Sequence, residues 1–126
     1  FHSGFPIAGM RLIDHFEADD EASMAANNSS AFCYRRTFRG QPSMHARGLA
    51  IDINPLQNPM TDGVRVYPPT GADFLRVREV RLLPGVITSS DPVVEAFKRF
   101  GWRWGGDWTL TEHGLVDYHH FEKIID

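Results

Sequence analysis

The sequence predicts an α+β fold, in which a small antiparallel sheet is flanked by helices. Three observations lead to this class. Short segments of branched and aromatic residues are separated by glycine and proline turns, as expected of strands. One segment in the second half has the apolar periodicity and the end residues of an amphipathic helix. The strand-like and helix-like segments are segregated along the chain, which favours a single α+β domain over residues 1–126.

The first predicted elements are a strand and a helix. Residues 10–13 favour a short strand. Residues 19–26 begin with three acidic side chains, which stabilise the positive end of a helix dipole, and the asparagines and serines of residues 27–30 would end that helix. Residues 31–38 are rich in aromatic side chains and favour a second strand.

A further strand, half-buried, is predicted over residues 49–53, where the side chains alternate in character. Its apolar residues would share one buried face, and Asp52 would point away from the core on the other face. Residues 54–90 follow with five prolines and little periodicity. They predict a long irregular excursion, consistent with a loop on the substrate side of the molecule.

The clearest helix begins after Asp91, a suitable N-cap residue, and has Pro92 in its first turn. Gly101 would end it. Its apolar stripe consists of Val93, Val94, Phe97 and Phe100. The prediction is completed by a strand over residues 102–104, a turn at Gly105-Gly106 and a final strand over residues 117–125.

The composition argues against several classes of function. The net charge of −3 gives no indication of nucleic-acid binding, and no apolar run approaches the roughly 18 residues that a membrane span requires. Cys33 is the only cysteine, so an internal disulfide and a structural zinc site built from thiolates are both excluded. No signal peptide is visible at Phe1, and the abrupt start is consistent with removal of a leader or another module. We expect a monomer.

Two separated segments supply the residues of a candidate metal site. His45 and Asp52 lie seven positions apart across a glycine turn, and Asp117 precedes His120 by three. Two imidazoles and one carboxylate suit Zn²⁺, and three protein ligands leave a position for water. Asp117 would then serve as the general base. This arrangement requires a bend near Tyr118, because a three-residue offset on a strand places side chains on opposite faces.

A simpler interpretation is that the six histidines are scattered by chance and that Asp52 only caps a turn. His119 competes with His120 as a ligand, but neighbours on a strand point to opposite faces, so only one of them should bind. The remaining histidines are expected to be surface residues away from the metal: His2, His15 and His113.

The motif Ser43-x-His45-x-x-Gly48-x-Ala50-x-Asp52, followed by Asp117-x-x-His120, resembles a known family. This is the zinc peptidase family of D-alanyl-D-alanine carboxypeptidases and L-alanyl-D-glutamate endopeptidases, which share their fold with the hedgehog signalling domain. The segments Trp104-Gly105-Gly106-Asp107-Trp108 and His120-Phe121-Glu122 are similar to the endopeptidase and phage-endolysin branch. The similarity extends from about Met10 to Glu122.

The resemblance implies a role for each residue of the site. His45, Asp52 and His120 match the zinc ligands, and Asp117 matches the catalytic base. Arg35 stands where the family places an arginine that steadies the oxygen of the scissile carbonyl. Arg36 follows directly and is the alternative for that role, and both could instead be surface charges.

Several further positions carry weaker expectations. Ser43 resembles a family position near the substrate, although a serine before a turn is often only a turn residue. Trp104 and Trp108 would line the cleft or fill the core, and Asp107 would orient a ligand histidine. If the enzyme removes a terminal D-alanine, the free carboxylate needs a cationic pocket. The candidates for that pocket are Arg36, Arg39 and Arg47.

The predicted function is therefore a zinc peptidase that hydrolyses peptidoglycan stem peptides, as an endopeptidase or as a carboxypeptidase. One alternative is a binding module that keeps zinc but not catalysis, as the hedgehog relatives suggest, and another is a metal-free structural domain. Through the resemblance alone, a peptidoglycan substrate implies an exported or envelope-associated protein.

Overall fold

The computed structural model describes residues 3–37, 40–78 and 83–125. Within these ranges it contains short strands and four α-helices. The strands are β1 (Gly9–Met10), β2 (Asn28–Ser29), β3 (Ala50–Asp52), β4 (Met60–Thr61), β5 (Val66–Tyr67), β6 (Arg103–Trp104), β7 (Val116–Asp117) and β8 (His120–Glu122). The helices are α1 (Asp20–Ala25), α2 (Ala72–Val77), α3 (Pro92–Arg99) and α4 (Leu110–His113).

The strands form three small sheets. The antiparallel sheet β3-β8-β6 has β8 at its centre, and a second antiparallel sheet has the order β5-β4-β7. The strands β1 and β2 make a short parallel pair. The predicted α+β class with antiparallel sheets is confirmed. None of the helices in the part of the chain that the structure describes is long and apolar enough to cross a membrane.

The chain bends between β7 and β8, as the metal-site hypothesis requires. The predicted strand over residues 117–125 is in fact two strands that belong to different sheets, with a turn at Tyr118 and His119 between them. Arg78 lies over the Tyr118 ring, 3.5 Å from its centroid. Asp117 and His120 are both buried, one on each side of the bend.

The core lies against the β3-β8-β6 sheet. Phe121 on β8 is fully buried, and its ring stacks on Phe97 of α3 at a centroid distance of 4.2 Å. The buried apolar cluster consists of Ile53, Ile87, Val93, Val94, Trp104 and Phe121. Helix α3 ends at Arg99, so Phe100 does not join the apolar stripe as predicted and is 70% exposed.

Three other predictions about individual elements were wrong. Residues 31–37 contain no continuous strand, only an isolated bridge between Arg36 and Pro42, and Phe38 lies outside the described residues. Asp91 precedes α3, but its carboxylate accepts hydrogen bonds from Thr88 instead of capping the helix. The strand around β3 is not half-buried as predicted, because the face that carries Asp52 is covered by other side chains and is as buried as the core face.

The excursion over residues 54–90 is more regular than its proline content suggests. It contains β4, β5 and α2, and buried amides anchor its start. The Asn58 side chain donates to the Gly85 carbonyl at 2.8 Å and accepts from the Ile87 amide at 2.6 Å. The Asn58 carbonyl in turn accepts a hydrogen bond from His119 Nδ1 at 2.7 Å. This excursion therefore supports the bend that carries the candidate site.

We expect Asn58→Ala to lower the free energy of unfolding by about 3 kcal/mol, because the buried Ile87 amide would lose its partner and the Gly85 carbonyl would keep only its bond from Asn54. Urea denaturation followed by tryptophan fluorescence would measure the change. Gln41→Ala removes an amide from an exposed position and should change stability by less than about 0.5 kcal/mol. Equal effects of the two substitutions would contradict a special role for Asn58.

Candidate metal centre

His45 is presented by a short, capped turn. It opens a 3-10 helix over His45–Arg47, and the Ser43 hydroxyl accepts the Ala46 amide of that turn at 3.1 Å. Gly48 ends the turn with φ of +68°, a conformation that favours glycine. The turn places the His45 ring in the interior, where only 2% of the residue is exposed.

Asp52 and His120 come together through strand pairing. They are direct partners in the register of β3 and β8, so their side chains extend from the same face of the sheet. His120 Nδ1 lies 3.0 Å from Asp52 Oδ1. His45 Nε2 lies 3.1 Å from Asp52 Oδ2 and 3.2 Å from His120 Nδ1. The three residues thus offer ligand atoms that all lie within 4.8 Å of one another.

The outer nitrogens of both rings face oxygen acceptors. His45 Nδ1 donates to the Ala31 carbonyl at 2.7 Å, and His120 Nε2 lies 3.4 Å from Glu122 Oε2. Metal-binding histidines use such contacts to fix the tautomer that leaves the inner nitrogen unprotonated. Two nitrogen lone pairs and two carboxylate oxygens then converge and repel one another unless a cation lies between them. This donor set fits a zinc ion.

The same contacts shift the pKa values of the residues in the cluster. Although burial opposes the charged form of His120, its hydrogen bonds to Asp52 and Glu122 raise its pKa to about 10. Burial also opposes ionisation of Asp52, but His119 and His45 hold the pKa of that carboxyl well below its usual range. The cluster therefore attracts a positive charge, which a proton supplies when no metal is bound.

Asp117 is a second buried carboxylate beside the cluster. Burial raises the pKa of the Asp117 carboxyl, although the neighbouring histidines act in the opposite direction. Within the described ranges its Oδ1 atom has no partner with hydrogen-bond geometry. A buried carboxylate with free acceptor capacity and a raised pKa is suited to take a proton from water.

His119 also lies at the site, although the alternation of side chains along a strand predicted that it would face away from His120. It belongs to the bend and not to β8, so its side chain is not forced away from His120. Its Nε2 atom lies 3.0 Å from Asp117 Oδ1 and 3.9 Å from Asp52 Oδ2. His119 therefore connects the candidate base to the metal cluster, although it is not one of the three residues that converge as ligands.

The two candidate arginines occupy different places. Arg35 reaches the cluster, with Nη2 3.7 Å from Asp52 Oδ2. Arg36 lies in an exposed turn, where its Nη1 donates to the Gly40 carbonyl at 2.7 Å. Arg47 is also exposed, and Arg39 lies outside the described residues.

The structure bears on the expectations for four further residues near the site. Trp104 does not line the cleft: it is 3% exposed within the apolar core, and its indole donates to the Tyr118 carbonyl at 2.9 Å. Trp108 is the tryptophan beside the site, with its ring centroid 5.5 Å from that of His120. Asp107 pairs with Lys98 at 2.6 Å and does not orient a ligand histidine. Ser43 is buried and serves as a turn residue.

Among the other histidines, His113 is exposed and stacks on Trp108, and His15 is exposed beside Arg11. His2 lies outside the described residues. Neither His15 nor His113 belongs to the cluster of converging ligand atoms.

The fold and the site together define a small α+β protein with a His-Asp-His cluster that can hold a metal ion and with an adjacent carboxylate. A profile of the family described as D-alanyl-D-alanine carboxypeptidase matches residues 37–123. The chain belongs to this family of zinc-dependent peptidases, and the match spans the candidate ligands and the candidate base. No significant match was found among curated proteins or solved structures.

We expect His45→Ala and His120→Ala to lose zinc, because each removes one of three ligands and leaves a partial set. The metal content of the purified variants would be measured by inductively coupled plasma mass spectrometry, with circular dichroism to check folding. His119→Ala, the adjacent substitution in the same bend, should retain zinc. Loss of zinc from His119→Ala together with retention in His120→Ala would reverse the ligand assignment.

Proposed function

We propose that this protein is a zinc-dependent peptidase that hydrolyses peptidoglycan stem peptides, with His45, Asp52 and His120 as the metal ligands. The observation that carries the proposal is the convergence of these three side chains next to a buried, under-bonded carboxylate. A structural zinc site is usually closed by four protein ligands, whereas three ligands leave a place for water and substrate. When bound, zinc would supply Lewis-acid activation of the scissile carbonyl and of the attacking water.

Asp117 has the properties of the general base in this mechanism. Burial raises the pKa of the Asp117 carboxyl toward neutral pH, so the carboxylate is a stronger base than an exposed one. Asp117 would remove a proton from the attacking water and later deliver it to the leaving amine. His119 Nε2 lies 3.0 Å from Asp117 Oδ1, so a protonated His119 would pair with the Asp117 carboxylate.

Arg35 is suited to stabilise the oxyanion that develops on the substrate carbonyl. Its guanidinium lies beside Asp52, which places a fixed positive charge at the edge of the metal cluster. Donors that are positioned before the reaction stabilise the transition state more than the ground state. Arg36 has no comparable position, since its guanidinium bonds to the backbone of an exposed turn.

The description of the matched family supports removal of a terminal D-alanine. Cleavage between L-alanine and D-glutamate is the second possible reaction, and the Trp-Gly-Gly-Asp-Trp segment is the feature that favours it. In either case Trp108 would form one wall of the cleft, beside His120. A substrate of this kind implies a protein that is exported or associated with the cell envelope.

The zinc-binding but inactive module is the competing proposal. A module that only binds has no need for a buried carboxylate beside the metal, because burial of an under-bonded acid costs stability. The presence of Asp117 at the cluster therefore favours catalysis over binding alone.

The deciding experiment is mass spectrometry of purified muropeptides after incubation with the zinc-loaded protein. Loss of one alanine from the end of the stem identifies a carboxypeptidase, and release of the stem after L-alanine identifies an endopeptidase. Asp117→Asn should retain zinc but lose at least about 100-fold in turnover, because the amide cannot accept the proton. A zinc-loaded wild-type protein that cleaves neither bond would support the binding module instead.

We also expect Arg35→Ala to lower kcat by about 100-fold with zinc retained, because an oxyanion donor acts mainly in the transition state. Arg36→Ala provides the matched control and should change kcat by less than about twofold. Steady-state kinetics on the same muropeptides would measure both. Near-normal turnover of Arg35→Ala would show that the charge at this position does not take part in the reaction.

A further inference from the structure

Arg35 is held by one short ionic contact from a distant element. Its Nη1 atom lies 2.5 Å from Asp20 Oδ2, in the first turn of α1. The other contact of the guanidinium, between Nη2 and Asp52 Oδ2, measures 3.7 Å and is too long for a hydrogen bond. Among the described residues, the buried Nε atom has no hydrogen-bond acceptor. The orientation of the guanidinium therefore depends on Asp20.

A bound cation would make this contact more important. A divalent metal ion at the cluster would take up the negative charge of Asp52 and would repel the guanidinium of Arg35. The carboxylate of Asp20 is then the group that keeps Arg35 in place. Arg35 lies in an irregular segment and its side chain is 37% exposed, so neither regular secondary structure nor complete burial fixes its guanidinium.

Helix α1 is itself anchored well enough to position Asp20. The Asp19 carboxylate caps the helix by accepting the Ala22 amide at 3.0 Å. Ser23 in the middle of the helix is 1% exposed, and its hydroxyl accepts a hydrogen bond from Asn28 Nδ2 at 3.0 Å. Asn28 lies on β2, so the helix is tied to the β1-β2 pair and cannot rotate freely.

We propose that Asp20 is a positioning residue, which holds the Arg35 guanidinium at the edge of the metal centre. This inference rests on the proposed function, because it assumes that Arg35 binds the substrate oxygen. Asp20 acts through Arg35 and need not touch the substrate. Its removal should therefore affect the rate of reaction and the order of the arginine side chain more than substrate binding.

The first test measures the order of the Arg35 side chain without any need for activity. Arginine Nε and Nη signals would be recorded by ¹⁵N NMR in the metal-free protein, with Arg35→Lys to assign the Arg35 signals. We expect slow rotation of the Arg35 Nη groups in the wild type and fast rotation, as in exposed arginines, in Asp20→Asn. Glu21→Gln removes an equal charge from an exposed position in the same helical turn and should leave the rotation slow.

The second test uses steady-state kinetics of the zinc-loaded protein on muropeptides. Asp20→Asn should lower kcat about tenfold with KM changed by less than about twofold, and Asp20→Glu should restore part of the loss. In an Arg35→Ala background, Asp20→Asn should have almost no further effect, because the two residues act as a pair.

Two results would overturn the inference. One is an Asp20→Asn variant with unchanged Nη rotation and unchanged kcat. The other is an equal loss of kcat in the presence and in the absence of Arg35, which would mean that Asp20 acts by another route. Failure of the proposed function would appear differently, as an absence of hydrolysis by the wild type, and the NMR measurement would then decide the role of Asp20 alone.

Discussion

The site depends above all on the pairing register of β3 and β8. This register sets Asp52 opposite His120 and Ile51 opposite Phe121. Side chains alternate along β8, so the same pairing directs Phe121 into the core and His120 toward the metal cluster. A slip of one residue would exchange these faces and would place an aromatic ring where a ligand is needed. The apolar contacts of Phe121 with α3 thus hold the metal ligands in register.

The cluster also concentrates more charge than a small core normally tolerates. Asp52 and Asp117 are buried together with three histidines, and burial of ionised groups is costly unless they are compensated. A metal ion compensates this charge, so metal binding and folding should be coupled in this protein. Polar contacts from Ala31 and Glu122 accordingly lie directly against the two candidate ligand histidines.

The sequence predicted those features that local rules govern. The acidic first turn of α1 and the proline start of α3 follow from chemistry within a few residues. The bend near Tyr118 was expected only because the candidate metal site requires it, since the local pattern predicts one continuous strand there. The convergence of His45, Asp52 and His120 could be predicted because their residue types and the resemblance indicate the same cluster. Features that depend on distant parts of the chain could not be predicted. The burial of Trp104 and the reach of His119 toward Asp117 arise only once separate segments pack together.

The hydrogen bond from His45 to the Ala31 carbonyl determines which sequence changes are tolerated near residue 31. The contact uses a main-chain atom, and the side chain of residue 31 is exposed. Position 31 should therefore accept many amino acids without harm to the metal centre. The path of the backbone at this point is constrained instead. If the carbonyl of residue 31 were paired within a sheet, it could no longer accept the hydrogen bond from the His45 imidazole. Insertions or deletions next to residue 31 should thus be rarer among homologues than substitutions of the residue itself.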